Sequence, residues 1–273
     1  ARVKFETALK IDPNYAPAFI GLAGVAQVEG NDALVEQNLQ RAERASPRSP
    51  DVQLAWGRYY LGKNQPGQAE KYFLKAREVA PRTIPPLLEL GEIYLRTPGR
   101  ASDALRMYRA ALDLDPNNRF ATYGFGIALA ATGKREEAIK TLEKAAQLVT
   151  DDPAPLRAIG RLYLESGELD KALAAFDGGL QRQPKFVASM LDRADTLSRM
   201  NRSNDAVAQM LVAEKLAPDS AEVQFRLGDV YQGAKRYTEA ERAYLKAISL
   251  APKNPLPSNN PPRMPVVSGG HPH

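Results

Sequence analysis

Prolines recur down this chain at a spacing that leaves few architectures open. Pro13, Pro47, Pro81, Pro116, Pro184, Pro218 and Pro252 each follow a helical stretch, at intervals of 34, 34, 35, 68, 34 and 34 residues. The long interval is two periods, with Thr150 standing where a proline is expected. A period of this length marks a supersecondary unit copied end to end, each copy stacking on the next because none buries its apolar face alone.

Other positions keep the same register. Twelve residues before each landmark stands a small residue, Ala1, Ala69, Ala104, Ala138, Ala172, Ala206 and Ala240, with Val35 the exception. Eight before stands a larger apolar one: Phe5, Leu39, Phe73, Tyr108, Leu142, Phe176, Met210 and Tyr244. Five before is small again, from Ala8 and Ala42 to Ala213 and Ala247. These offsets fall on one helical face, where small residues admit a neighbouring helix and the larger one fills the groove. The first half of each unit is a second helical pattern, "WGRYY" at 56–60, "LGEIY" at 90–94, "IGRLY" at 159–163 and "LGDVY" at 227–231. A breaker follows each: Gly30, Asn64, Pro98-Gly99, Gly133, Gly167, Asn201 and Lys235. Glycine and asparagine suit the left-handed residue that ends a helix, so each period reads as helix, tight turn, helix, turn.

With these residues in place the chain resembles the tetratricopeptide repeat (TPR) family, whose pattern runs W-x2-L-G-x2-Y, then A-x3-F, then P. Leu227, Gly228, Tyr231, Ala240, Tyr244, Ala247 and Pro252 match it best. The resemblance covers residues 1–254: repeats 16–49, 50–83, 84–118, 119–152, 153–186, 187–220 and 221–254, after a truncated repeat (1–15) whose second helix is residues 1–12. It implies an all-α, right-handed superhelical solenoid of helix-turn-helix repeats. Repeat 84–118 has one extra residue in "TPGRASD", repeat 119–152 lacks its closing proline and hands over through "TDDPAP", and repeat 187–220 matches most loosely. Because Ala1 falls where a second helix begins, the chain reads as a fragment with a sticky N-terminal end, open to self-association through array ends. Residues 255–273, "PLPSNNPPRMPVVSGGHPH", leave the register, and their prolines imply an extended or disordered tail, a linker or a groove ligand.

Composition closes several functional classes. There are no cysteines, so no disulfide or thiolate metal site. Hydrophobic residues are 44% and charged residues 25%, ordinary for a soluble chain, and a net charge of +5 is mild over this length and unlike a nucleic-acid binder. The longest uncharged stretch, 120–133, is shorter than the roughly 20 residues of a membrane span. The two histidines, His271 and His273, are too few for a metal site. Glu136-Glu137 and Asp151-Asp152 read as acids suiting helix N-termini. "ALAATGKR" at 128–135 lacks the first glycine and the Ser/Thr of a phosphate loop. No catalytic residue, cofactor or metal is assigned, and the compartment is left open.

What remains is surface. The resemblance implies that first helices line the concave side and that their outward residues meet a partner. The positions singled out are Leu88, Glu92, Phe120, Tyr123, Ile127, Arg157, Arg161, Leu191, Asp195 and Arg199. Leu88, Phe120, Tyr123 and Ile127 form an apolar-aromatic stretch, and Arg157 and Arg161 lie four apart on one helical face. An arginine binds carboxylate through a planar fork, so this pairing suits an extended peptide with an apolar anchor and a nearby carboxylate. The Lys/Asn clamp of chaperone-tail-binding TPR members has no asparagine at the matching positions, which hold Gly24, Arg58, Glu92, Ile127, Arg161, Asp195 and Asp229. The expected role is a non-catalytic scaffold for a peptide segment or partner subunit, with bacterial secretion or exopolysaccharide assembly as the setting suggested by composition. A self-assembly module and the targeting arm of a larger enzyme are the alternatives.

Overall fold

The computed structural model describes residues 1–250. The expected tail, with His271 and His273, lies outside the described residues. Those described form fifteen α-helices and no strand. In chain order they are α1 (Arg2–Ile11), α2 (Ala16–Val28), α3 (Asp32–Ala45), α4 (Pro50–Gly62), α5 (Pro66–Val79), α6 (Ile84–Arg96), α7 (Ala101–Leu114), α8 (Arg119–Ala131), α9 (Arg135–Leu148), α10 (Ala154–Glu165), α11 (Leu169–Arg182), α12 (Val187–Arg199), α13 (Ser203–Leu216), α14 (Ala221–Gly233) and α15 (Tyr237–Leu250). The chain divides into two compact units, one ending at Leu162 and the other starting at Tyr163, so the division falls inside α10. Each unit is a stack of helical hairpins, the all-helical TPR arrangement that the sequence implies.

The turn inside each hairpin is set by one left-handed residue. Gly30, Gly133 and Gly167 have φ of 71°, 79° and 77°, and Asn64, Asn201 and Lys235 have φ of 56°, 58° and 59°. In all six turns the next residue donates its N–H to the carbonyl five back, as Asn31 does to Ala26 and Arg236 to Tyr231, each at 2.9 Å. This is the Schellman closure, which satisfies carbonyls that the helix end leaves orphaned. Lys235 holds the conformation without glycine's freedom, which disfavours it by about 1 kcal/mol. The α6–α7 turn carries the extra residue and is built differently. Its left-handed residue is Gly99, with φ 80°. Arg100 braces it: the guanidinium lies 3.8 Å from the Tyr94 ring centroid, Nη1 donates to both Glu70 oxygens at 2.9 and 3.0 Å, and Nε donates to Asp103 at 2.9 Å.

Between hairpins the periodic proline does its work as the second residue of a hydrogen-bonded β-turn. Around Pro13, Pro47, Pro81, Pro116, Pro184 and Pro218 the residue two places on donates its N–H to the carbonyl just before the proline, over 3.0–3.3 Å. Proline's fixed φ suits that place, and its missing N–H leaves nothing unsatisfied there. Where Thr150 interrupts the series, the Asp152 carboxylate accepts the Ala154 N–H at 2.8 Å and caps α10.

Packing within a hairpin is a ring set against a glycine. A methyl group added at Gly57 would lie 2.3 Å from the Phe73 ring, and one at Gly228 would lie 2.5 Å from the Tyr244 ring. Tyr108 is held from two sides, since added methyls at Gly91 and Gly124 would stand 2.7 and 2.4 Å from it. It therefore joins its own hairpin to the next. Where the second-helix residue is the slimmer Leu39 or Met210, the corresponding first-helix residue is Ala23 or Ala194, in the same buried clusters. Gly126 under Leu142 departs from that trade. Around these contacts the first unit buries one cluster over α2–α4 and another over α4–α8, and the second unit buries one over α12–α15. Trp56, the only tryptophan, stacks on Tyr60 and Tyr72 with centroids 5.8 and 5.7 Å away.

The ring-and-glycine fit predicts a specific coupling. Gly124→Ala is expected to cost about 1–3 kcal/mol of unfolding free energy by overpacking. Adding Tyr108→Leu should restore part of that loss, giving a coupling of at least about 0.5 kcal/mol in a double-mutant cycle followed by chemical denaturation. Strictly additive effects would contradict the arrangement.

Candidate functional site

The site residues expected from sequence lie on first helices, and α8 carries three of them. Its first turn is fixed by Asn118, whose side chain accepts the Ala121 N–H at 3.0 Å and whose carbonyl accepts the Thr122 hydroxyl at 2.8 Å. Phe120, in that turn, is 58% exposed, unusual for a large apolar side chain. The Arg119 guanidinium lies 4.5 Å from its ring centroid. Tyr123 and Ile127, three and seven residues on, are half-buried. This spacing keeps all three on one side of the helix. α6 packs against α8 and brings half-buried Leu88, which rests on the α4–α8 cluster.

Electrostatics ties α8 to α10. Burial pushes the Tyr123 hydroxyl above the ordinary tyrosine range; the Asp152 charge pushes it further, while Arg157 and Arg161 pull it back. Both arginines therefore lie within electrostatic reach of the hydroxyl, which stays protonated at neutral pH. Arg161 is exposed and has no hydrogen bond or ion pair to another described residue. Arg157 is half-buried and already engaged.

Several other charges on first helices are compensated. Arg58 Nε donates to Glu89 at 2.7 Å across the α4–α6 step, and Arg96 pairs with Glu92 one turn away. In the second unit Arg199 pairs with Asp195 at 3.0 Å. Leu191 corrects the sequence reading: it is only 5% exposed, inside the α12–α15 cluster, and offers a ligand nothing. On α14, Asp229 accepts the Tyr244 hydroxyl at 2.8 Å, and burial raises its carboxyl above the usual range. Two participants escaped sequence reading. Asp152 was visible only as a helix cap, and Arg119 beside Phe120 gave no periodic signal.

Among the described residues no group of three or more His, Cys, Asp or Glu could hold a metal ion, and no helix is long and apolar enough to cross a membrane.

Two family models, both described as tetratricopeptide repeat, match residues 95–162 and residues 54–119 and 191–255, together well over half of the chain. The chain belongs to the tetratricopeptide repeat family. A TPR protein of known structure from Parabacteroides merdae superposes with a TM-score of 0.71 over 86% of this chain and 93% of its own, at 17% identity, a likeness of fold. The human protein O-mannosyl-transferase TMTC1 is 28% identical over 208 residues, 75% of this chain and 23% of that protein. Cellulose synthase operon protein C of Escherichia coli (strain K12) is 27% identical over 169 residues, 59% of this chain and 14% of that protein. The chain thus spans less than a quarter of either relative's length.

The arginines' hold on Tyr123 is measurable. Arg161→Gln removes a positive charge that favours the phenolate, so the Tyr123 pKa should rise further. Alkaline titration of ring-labelled tyrosine by NMR would follow it, and an unchanged midpoint would place Arg161 out of reach.

Proposed function

We propose that this TPR chain is a non-catalytic scaffold that holds a peptide segment or partner subunit on the face formed by its first helices, with α8 and α10 of the first unit at the centre of the contact. One observation carries the reading. Phe120 stands exposed beside half-buried Tyr123 and Ile127, while Arg161, close enough to act on Tyr123, has no described partner for its charge. An exposed aromatic next to an arginine is the composition that dominates protein interfaces energetically. Leu88, Glu92 and Arg157 flank this centre. In the second unit Asp195 and Arg199 pair with each other on α12.

The similarity to cellulose synthase operon protein C favours an exopolysaccharide-assembly setting. The similarity to TMTC1 favours the alternative that such an array serves as the non-catalytic arm of a larger transferase. Under either setting the chain's task is recognition.

A random displayed peptide library selected on the wild-type chain, and counter-selected on Phe120→Ala/Arg161→Glu, tests the reading. Both side chains are exposed, so the double variant should fold normally. A consensus retained by the wild type and lost by the variant is expected. Equal enrichment on both proteins, or none on either, would remove the first-helix face as the binding surface.

A further inference from the structure

One face of α15 is apolar and uncovered. Tyr237, Leu245 and Ile248 are 59%, 59% and 56% exposed, and exposed Glu241 stands among them at helical spacing, so the four share one side of the helix. One period earlier the position of Glu241 is held by Val207, which is 5% exposed in the cluster that α13 shares with α14. No described helix follows α15 to do the same for it. The neighbouring acids are taken: Glu239 pairs with Arg236 at 2.8 Å and Glu214 with Lys246 at 3.1 Å. The Glu241 carboxylate has no hydrogen bond or ion pair to another described residue. Arg242, next in the chain, is turned about 100° round the helix from it.

Residues 251–273 continue directly from this helix, outside the described residues. Pro255, Pro257, Pro261, Pro262 and Pro265 deny them another regular helix. They carry no acid, and Arg263 stands directly before Met264, Pro265, Val266 and Val267. The lengths correspond. Glu241 to Ile248 is about 10.5 Å of helix, and Arg263 to Val267 is about 12 Å of polyproline-type chain. Residues 251–262 need to return only about 14 Å, from Leu250 to Glu241, a small part of the roughly 37 Å they cover when extended. Tethering also gives the segment an effective concentration on the order of millimolar, far above a second copy in micromolar solution.

We infer that residues 263–267 dock in cis on this face, Arg263 on Glu241 and the aliphatic side chains on Leu245 and Ile248, so that the chain covers the end of its own array and keeps it from meeting a second copy. The contact is separate from the first-helix face and does not depend on it.

Hydrogen exchange of the full chain, followed by mass spectrometry, tests it. Arg263→Glu and Met264→Ser/Val266→Ser lie beyond the last described helix, so neither disturbs the repeats. Each should speed exchange of the α15 amides about fivefold and leave α13 unchanged. Glu241→Arg alone should do the same, and Glu241→Arg combined with Arg263→Glu should restore the wild-type rate. Unchanged α15 exchange in the tail variants, or no recovery on swapping the charges, would overturn the inference. Light scattering separates the other occupant. A wild-type dimer that Leu245→Asp returns to monomer and Arg263→Glu leaves intact would assign the face to a second copy instead.

Discussion

A bulky side chain seated on a residue without one is the contact on which this architecture depends. A bulky ring seats closely only where the facing residue has no Cβ to keep it away, and Gly57, Gly91 and Gly228 provide that approach for Phe73, Tyr108 and Tyr244. Because Tyr108 also rests on Gly124 of the next hairpin, the contact that closes one unit also seats the following one. Dispersion and apolar burial at such sites act between neighbours only, so stability accumulates along the chain rather than around one centre. The turns reinforce this locality. Left-handed residues close each hairpin, and the prolines set the step to the next.

That construction explains why the proposed recognition surface is the first-helix face. Residues pointing into the buried clusters are committed to packing, as Leu191 proves to be, and cannot also meet a ligand. The remaining positions are free to vary, and their charges mostly cancel along the surface: Arg58 with Glu89, Arg96 with Glu92, Arg199 with Asp195. Against that background Arg161, with no described partner and within electrostatic reach of Tyr123, is conspicuous. Surface pairs of this kind contribute little to stability, so their value lies in defining where charge is left over.

Much of the fold was legible in the residue order because its determinants are local and repeated. A proline at fixed spacing, a glycine or asparagine after each first helix, and small residues alternating with large ones all report contacts made within a few dozen residues. The role of Lys235 could be read only from register, since its side chain argues against the left-handed conformation it adopts. The site was legible in part. Periodicity placed Phe120, Tyr123 and Ile127 on one side of α8 and Arg157 with Arg161 on one side of α10. Burial of Leu191 was hidden because repeat 187–220 is the loosest match, and the outward register of α12 was carried over from better copies. The pairings of Arg58 with Glu89 and Arg100 with Glu70 join residues about thirty apart. They follow from how one hairpin lies on the next, which no single helical pattern encodes.

The position of Trp56 has an optical consequence. The chain has a single indole, packed in a three-ring cluster with Tyr60 and Tyr72 in the α4–α5 hairpin. Its emission therefore senses the melting of that hairpin and is blind to the second unit. In a stack whose parts are coupled only through neighbours, a smooth single transition seen by tryptophan fluorescence would not establish that the molecule unfolds in one step. Circular dichroism, which counts every helix, would have to agree with it before any one free energy could be assigned to the whole.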